Sequence, residues 1–468
     1  MYRWFIAHRY LFSRTITFVA LLVVASSVSL LIIILSVMEG FQSELRERIR
    51  GTSSDLKAES KHYIGLRDPA RVAEIIAGVP GVQATAPYVD TVVLYRLEEG
   101  LTFGQDLSDR ILRVVDLERE LAVGDLAKYV ENIAKGTDDR TQKILDALHK
   151  TGLPRDVRGL FSRAWSEKLW AMRKQGQPPG EEDPLKEIPP PVVMGLEVIR
   201  REFLLPGAIV SLTGYSPGTK LPCTGRFLVA GYFKTGLYEL DASGIIMEWS
   251  AAREFLGLED EEGVELASGI RVAVDPKLRH PEGLEDVRAA VEVRLEQEDV
   301  LFTRTQTWRE ERASLIGAVQ VEKAIMSLII GMVVLFSGFM IFIILTLQVV
   351  EKTRDAGVLQ SMGATPAGVA TIFLSIGIIL SFAGAAIGTA YGVGFAAIVN
   401  TVQRWIKLLT GWEVFPPHVY YLDRIPVRFE PWDLALIIGP TVLVGLIASI
   451  VPAVRAARKD PVAALRYE

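Results

Sequence analysis

Four stretches of the chain are apolar and free of charge: residues 15–38, 324–348, 367–403 and 434–451. A bilayer is crossed by a helix of about 20 apolar residues, so each stretch predicts one transmembrane helix. The third exceeds a single crossing, and part of it is expected to kink, tilt or leave the membrane. Gly384 and Gly388 form a GxxxG pair there, read as general helix packing in preference to a specific dimer contact. The first stretch has too long an apolar core for a signal peptide, and Ser36-Val37-Met38-Glu39-Gly40-Phe41 is a poor cleavage site. It reads as a retained anchor.

Between the first and second stretches the pattern becomes that of an α+β domain. Glu44, Arg46, Glu47, Arg48 and Arg50 alternate in sign, which predicts a solvated helical stalk continuing the first span. Asp68-Pro69 opens a helix that Val79-Pro80-Gly81 closes, and 82–96 alternates as a pair of strands would. Strand patterns return at 208–212, 226–233, 244–249 and 269–274, while 251–256 and 282–297 read as helices. Charged helical patterns and proline clusters mark 132–190 as a partly mobile insertion. Residues 309–323 lead back to the membrane as a second stalk.

The second and third apolar stretches are separated by a short charged segment. Glu351, Lys352, Arg354 and Asp355 open it, and Ala356, Leu359 and Met362 follow at the i, i+3 spacing of one apolar helix face. Gly363 suits the left-handed residue that ends a helix, and Thr365-Pro366 supplies an N-cap and first-turn proline for the next. The segment is thus a bend between two helices. Two readings fit it: a snug turn that touches nothing, and a docking surface for a partner.

With 468 residues, 50% hydrophobic content and a mean hydropathy of +0.27, a membrane protein with a soluble part is expected. Basic residues flanking the spans set orientation. Arg3, Arg9, Arg14, Lys352, Arg354, Arg455, Arg458, Lys459 and Arg466 share one side, against Arg404, Lys407, Arg424 and Arg428 on the other. Both termini and the bend are therefore assigned to the cytoplasm and the large domain to the exterior. The net charge of −5 says little, because the charges are divided between compartments. Cys223 is the single cysteine, so no intrachain disulfide forms.

Several chemistries are unsupported. Gly214-Tyr215-Ser216-Pro217-Gly218 matches a hydrolase nucleophile pattern, but Pro217 lacks the N–H that the oxyanion would need, and a hairpin tip is the better reading. His8, His62, His149, His280 and His418 are scattered and contain no H-E-x-x-H. No Gly-Lys dipeptide occurs, which excludes a P-loop; ATP used by this protein would be bound by another chain. The spans hold no charge that would mark an ion path.

The whole arrangement resembles the permease subunits of the FtsX/MacB superfamily of ABC transporters, most closely the lipoprotein-releasing, Lol-type branch. The bend 351–365 resembles that superfamily's coupling segment, and the tail 451–468 resembles its closing P-A-x-x-A-x-x-x-x-P-x-x-A-L-R pattern. Residues 35–41 resemble the SVMNGF signature of the Lol-type branch, with Glu39 for Asn; 231–241 resemble GxFxxGxYExD, and 420–427 resemble YFLDxLPV. The likeness lapses across 132–190.

The resemblance implies an inner-membrane, multi-pass, non-catalytic subunit with four transmembrane helices and a large α+β extracytoplasmic domain inserted between the first and second. The expected division is 1–40 (cytoplasmic N-terminus and first span), 41–322 (outer domain with stalks), 323–350 (second span) and 351–366 (coupling segment). It continues with 367–403 (third span), 404–433 (short external loop), 434–452 (fourth span) and 453–468 (cytoplasmic tail). Glu351, Lys352, Arg354, Asp355, Leu359, Met362 and Gly363 would couple to a cytoplasmic ABC ATPase that holds ATP and magnesium, leaving no cofactor on this chain. The resemblance further implies a second permease copy or paralogue, a lipoprotein substrate lifted from the outer leaflet, and no nucleic-acid partner. The hairpin at Pro217, Pro222 and Arg226 lies where the Lol-type branch binds a periplasmic carrier, and an ordinary exposed turn fits equally. Other members of the superfamily leave two alternatives: an FtsX-like scaffold activating a cell-wall hydrolase, and a MacB-like exporter of peptide or drug.

Overall fold

The computed structural model describes residues 15–61, 65–97, 108–131, 133, 143, 145, 146, 149, 152–176, 187–202, 204–300, 303–412 and 424–458. The expectations placed on Arg3, Arg9, Arg14, His8, His62, His418, 177–186, 420–423 and 459–468 lie outside these residues. The chain divides into a helical unit, drawn from 1–44, 317–414 and 425–468, and an α+β unit drawn from 45–316 and 415–424.

Among the described residues, four helices are long and apolar enough to cross a membrane: Thr15–Ser53, Ala313–Glu351, Pro366–Thr410 and Pro431–Ala457. The third is a single helix of 45 residues, about 67 Å long at 1.5 Å per residue, against a hydrocarbon core of about 30 Å. Its excess length is therefore present without a break, because no proline after Pro366 interrupts the ladder. Small residues let the helices of this unit approach. A Cβ built on Gly384 would lie 2.6 Å from Val24 Cγ1, one on Gly388 2.5 Å from the Ala25 carbonyl oxygen, and one on Gly392 3.0 Å from that of Ser29. The GxxxG pair thus extends by one more repeat and seats the third helix on the first within this chain. Gly377 meets Ser449, Gly338 meets Val444, and Gly445 meets Ser381 in the same manner around the fourth helix.

The α+β unit is built on strands β1 (Leu56–Ser60), β2 (Leu66–Arg67), β3 (Val82–Leu97), β4 (Ser108–Val115), β5 (Pro191–Gly195) and β6 (Ile209–Tyr215). It continues with β7 (Pro222–Phe233), β8 (Gly244–Glu248), β9 (Leu266–Ala267), β10 (Gly269–Val274) and β11 (Thr303–Thr307). Nine of them form one sheet in the order β11-β1-β10-β3-β4-β8-β5-β7-β6, and β2 pairs with β9. A further β3–β6 pairing closes β3, β4, β8, β5, β7 and β6 into a ring. The expected strand pair at 82–96 is instead the single 16-residue strand β3. Its first half pairs with β10, its second half with β4, and its end with β6, so three distant partners keep it extended where a turn was expected.

Two hydrophobic cores follow from this topology. One fills the ring with Leu112, Val114, Val192, Met194, Leu228, Tyr232 and their neighbours. The other lies under the open part of the sheet, where Leu56, Ile270 and Val272 meet Val72 and Ile76 of helix Pro69–Ala77 and Val287 and Val291 of helix Pro281–Gln297. Part of the segment 132–190 is core rather than mobile insertion: Val157, Leu160, Trp165 and Leu169 are buried in the ring core, and Trp165 Nε1 donates to the Ala230 carbonyl at 2.8 Å. Indole and leucine side chains at helical spacing on Arg163–Gly176 outweigh that helix's charged face.

Candidate functional sites: a coupling bend, a signature clasp and an outer hairpin

The helix Ala313–Glu351 stops at Lys352, and a separate helix, Thr353–Ser361, carries the chain to Pro366. Lys352 Nζ reaches Asp355 Oδ2 at 3.0 Å, and Thr353 Oγ1 donates to the Val349 carbonyl at 2.8 Å. Gly363 has φ +96° and ends the short helix, with the Ala364 N–H donating to the Leu359 carbonyl at 2.9 Å. Thr365 caps the third long helix by accepting from the Gly368 N–H at 3.2 Å, with Pro366 in its first turn. Gln360 Nε2 donates to the Ala457 carbonyl at 3.2 Å, which ties the bend to the last turn of the fourth helix.

The two sides of the short helix differ. Ala356 is buried and Leu359 partly buried against Ile344, Leu345, Val369 and Ala453 of the helical unit. Met362 is 81% exposed and Val358 40% exposed, on the same outward side as Glu351 and Arg354. The expected apolar face therefore splits: Leu359 belongs to the bundle, and Met362 with Val358 forms the outward apolar surface. Residues 358 and 359 are both apolar and about 100° apart around a helix, so spacing alone did not decide which one faces the bundle.

Two of the Lol-type signature segments meet. The Arg428 N–H donates to the Ser36 carbonyl at 3.0 Å, and Gly40 lies against the carbonyl of Pro426, where no Cβ fits. Asn400 of the third helix holds the same loop, accepting from the Ile425 N–H at 2.9 Å and donating to its carbonyl at 3.0 Å. Glu39, buried in place of the usual Asn, pairs with Lys323 Nζ at 3.3 Å. Asn400 carried no signal in the sequence beyond being a polar residue inside an apolar run.

The third signature is a turn organised by Asp241. That buried carboxylate accepts from the Thr235 N–H at 2.7 Å, Thr235 Oγ1 at 2.8 Å and the Gly236 N–H at 3.0 Å. Gly236 has φ +81°, which explains the glycine. Burial pushes the Asp241 carboxyl up to about 6, against the opposing effect of the Thr235 and Gly236 donors.

The hairpin between β6 and β7 turns through 216–221. Ser216 is buried; its Oγ accepts from the Thr219 N–H at 3.2 Å and donates to the Gly257 carbonyl at 3.4 Å, a turn-forming role rather than a nucleophile's. Gly218 lies against the Glu259 carbonyl, so the tip is packed on its own unit. Pro217 is half-buried, while Pro222 and Arg226 are exposed with Tyr215 and Leu221. Pro217, Ser216 and Lys220 border a cavity of about 500 Å³ that Val89, Leu256 and Leu266 also line. Cys223 is a free, half-buried thiol, its pKa raised by burial.

Four helices long and apolar enough to cross a membrane, a charged bend between two of them and a separate α+β unit define a multi-pass membrane protein of the permease type. A family profile described as FtsX-like permease C-terminal matches residues 327–461. The chain is 26% identical over 460 residues to the lipoprotein-releasing system transmembrane protein LolC of Neisseria meningitidis, covering 98% of this chain and 95% of that one. It is 24% identical over 457 residues to the LolC of Xylella fastidiosa, with the same coverage of both chains. The macrolide export ATP-binding/permease protein MacB of Syntrophobacter fumaroxidans is 29% identical over 156 residues, 33% of this chain and 18% of that protein. The chain is an ABC transporter permease of the FtsX/MacB superfamily, with Lol-type relatives along almost its whole length.

Proposed function

We propose that this permease extracts lipoproteins from the outer leaflet of the inner membrane, driven by ATP that a separate cytoplasmic ATPase subunit hydrolyses. The observation that supports the reading is the reach of the similarity: the LolC proteins of Neisseria meningitidis and Xylella fastidiosa match 98% of the chain, whereas the MacB protein of Syntrophobacter fumaroxidans matches 33%. Both termini and the bend lie in the cytoplasm in this reading, and the α+β unit lies outside. The ATPase, which binds ATP and magnesium, docks on the outward side of the bend through Met362, Val358, Glu351 and Arg354. Apolar spans without buried charge suit an acylated cargo better than an ion. A second copy or a paralogue completes the transporter, and the hairpin with Pro222 and Arg226 offers a surface to a periplasmic carrier.

Depletion of the protein followed by membrane fractionation tests this. Lipoproteins accumulating in the inner membrane are expected. Normal lipoprotein sorting together with a division or wall defect would reject the reading in favour of the scaffold.

A further inference from the structure

The end of the first long helix is gripped inside the α+β unit by side chains from elements far apart in sequence. Arg271 on β10 donates to the Thr52 carbonyl and pairs with Glu120, both side chains 4% exposed. Arg113 on β4 donates to the same carbonyl at 3.4 Å and is held by Asp90 on β3 through two bonds of 2.9 and 3.0 Å. Asp55, just past the helix, accepts from the Val274 N–H at 3.0 Å and pairs with Arg279 at 3.0 Å. The Asp55 carbonyl accepts from the N–H of Trp308, the first residue of helix Trp308–Glu311, at 3.3 Å. One turn upstream, Arg48 Nη1 donates to the Gly236 carbonyl at 2.9 Å.

The chemistry of this arrangement is directional. The last carbonyls of a helix carry partial negative charge and lack intrahelical donors, so two guanidinium groups at Thr52 satisfy what a helix end leaves open. Arg113 sits on a ring strand and Arg271 on an open-sheet strand, so one carbonyl is tied to the frames of both cores. Asp55 adds the start of the chain's return toward the second long helix. Burying the Arg271–Glu120 pair costs desolvation that an apolar pair would avoid, which fits a role in position rather than in stability.

We propose that residues 48–55 are the point where movement of the first stalk passes into the outer unit, with Arg271 and Arg113 as positioning residues that make both cores follow it. This rests on the ATP-driven function proposed above. Spin labels at the exposed positions Glu47, on the stalk, and Glu261, on the outer unit, would be read between the two permease subunits of the full ATPase complex, with and without ATP. In the parent both distances shift. In Arg271→Met combined with Glu120→Leu, which removes both buried charges together, the shift at 47 persists and the shift at 261 is lost, at an unchanged thermal transition. Arg279→Gln removes the partly exposed partner of the buried Asp55 without touching the Arg271–Glu120 pair, and reduces the shift at 261. It decides the matter should the double variant not fold. A parent-sized shift at 261 in the folded variants overturns the clamp. A parent in which label 47 ignores ATP overturns the coupling and the clamp with it, while ATP-driven shifts without release of a reconstituted triacylated lipoprotein leave the clamp standing and reject the cargo.

Discussion

Gly388 of the third long helix lies against the carbonyl oxygen of Ala25 on the first, 2.5 Å from where its own Cβ would stand. Gly392 repeats that relationship one turn on, at the Ser29 carbonyl, and one turn back Gly384 lies against the Val24 side chain. In lipid, where burial of apolar surface gives helices little reason to associate, such close backbone approach is a main source of attraction. Gly388→Leu forces the helices apart over the whole stripe, at a cost of roughly 1–3 kcal/mol for overpacking. A thermal unfolding scan in detergent should show a lowered transition, whereas Gly394→Ala, at a glycine with open space around it, should leave it unchanged. Equal effects from both would count against the stripe.

The bend separates two substitutions that the sequence treats alike. Met362→Glu places a charge where the side chain is already 81% exposed, so stability should change by less than about 0.5 kcal/mol while co-purification with the ATPase is lost. Leu359→Asp buries a carboxylate against the helical unit and should destabilise the permease itself by roughly 2–4 kcal/mol. Binding retained by Met362→Glu would remove the docking surface from the outward side.

The spans were legible because lipid imposes a charge-free run that no other environment demands so strictly. The strands β6, β7, β8 and β10 were legible for the same kind of reason, since two-sided burial leaves short apolar runs. What stayed hidden depends on partners distant in sequence. Nothing in the sequence singles out Arg271, because its partners Glu120 and Thr52 lie 151 and 219 residues away. Likewise, Trp165 and Leu169 looked like part of a mobile segment because the ring core they fill is assembled from strands on both sides of it. The short helix Thr353–Ser361 lies within the segment read as a bend, but the inward turn of Leu359 is set by the long helices packed around it, which local spacing does not contain.

Asn400 makes the bonds of a backbone unit with Ile425, one accepted and one donated. Asn400→Asp keeps the first and turns the second into an encounter of two oxygens; Asn400→Leu loses both. Each lost bond is worth about 1 kcal/mol. Hydrogen exchange at the amides of Ile425 and Arg428 should quicken in both variants, more in the leucine one. Unchanged protection at Arg428, which donates to Ser36, would show that the loop is held by the first helix alone.

Asp241 gives the outer unit a pH dependence whose sign can be worked out. Its folded carboxyl titrates at about 6 against an ordinary value of 3.8, chiefly through burial. The folded state therefore binds the proton more tightly than the unfolded one, and the stability this contributes is present below 3.8 and lost as pH rises through about 6. Asp241→Asn removes the titration. Its oxygen can still accept from Thr235, but its amide faces the Gly236 N–H, two donors where the parent has a bond. Urea unfolding of the protein should show stability falling between about pH 4 and 6 in the parent and a flatter profile in the variant. Exchange at the Gly236 amide should be faster in the variant at neutral pH. A parent profile that instead rises across that interval would mean that Asp241 is ionised well below 6 and that its three donors outweigh its burial.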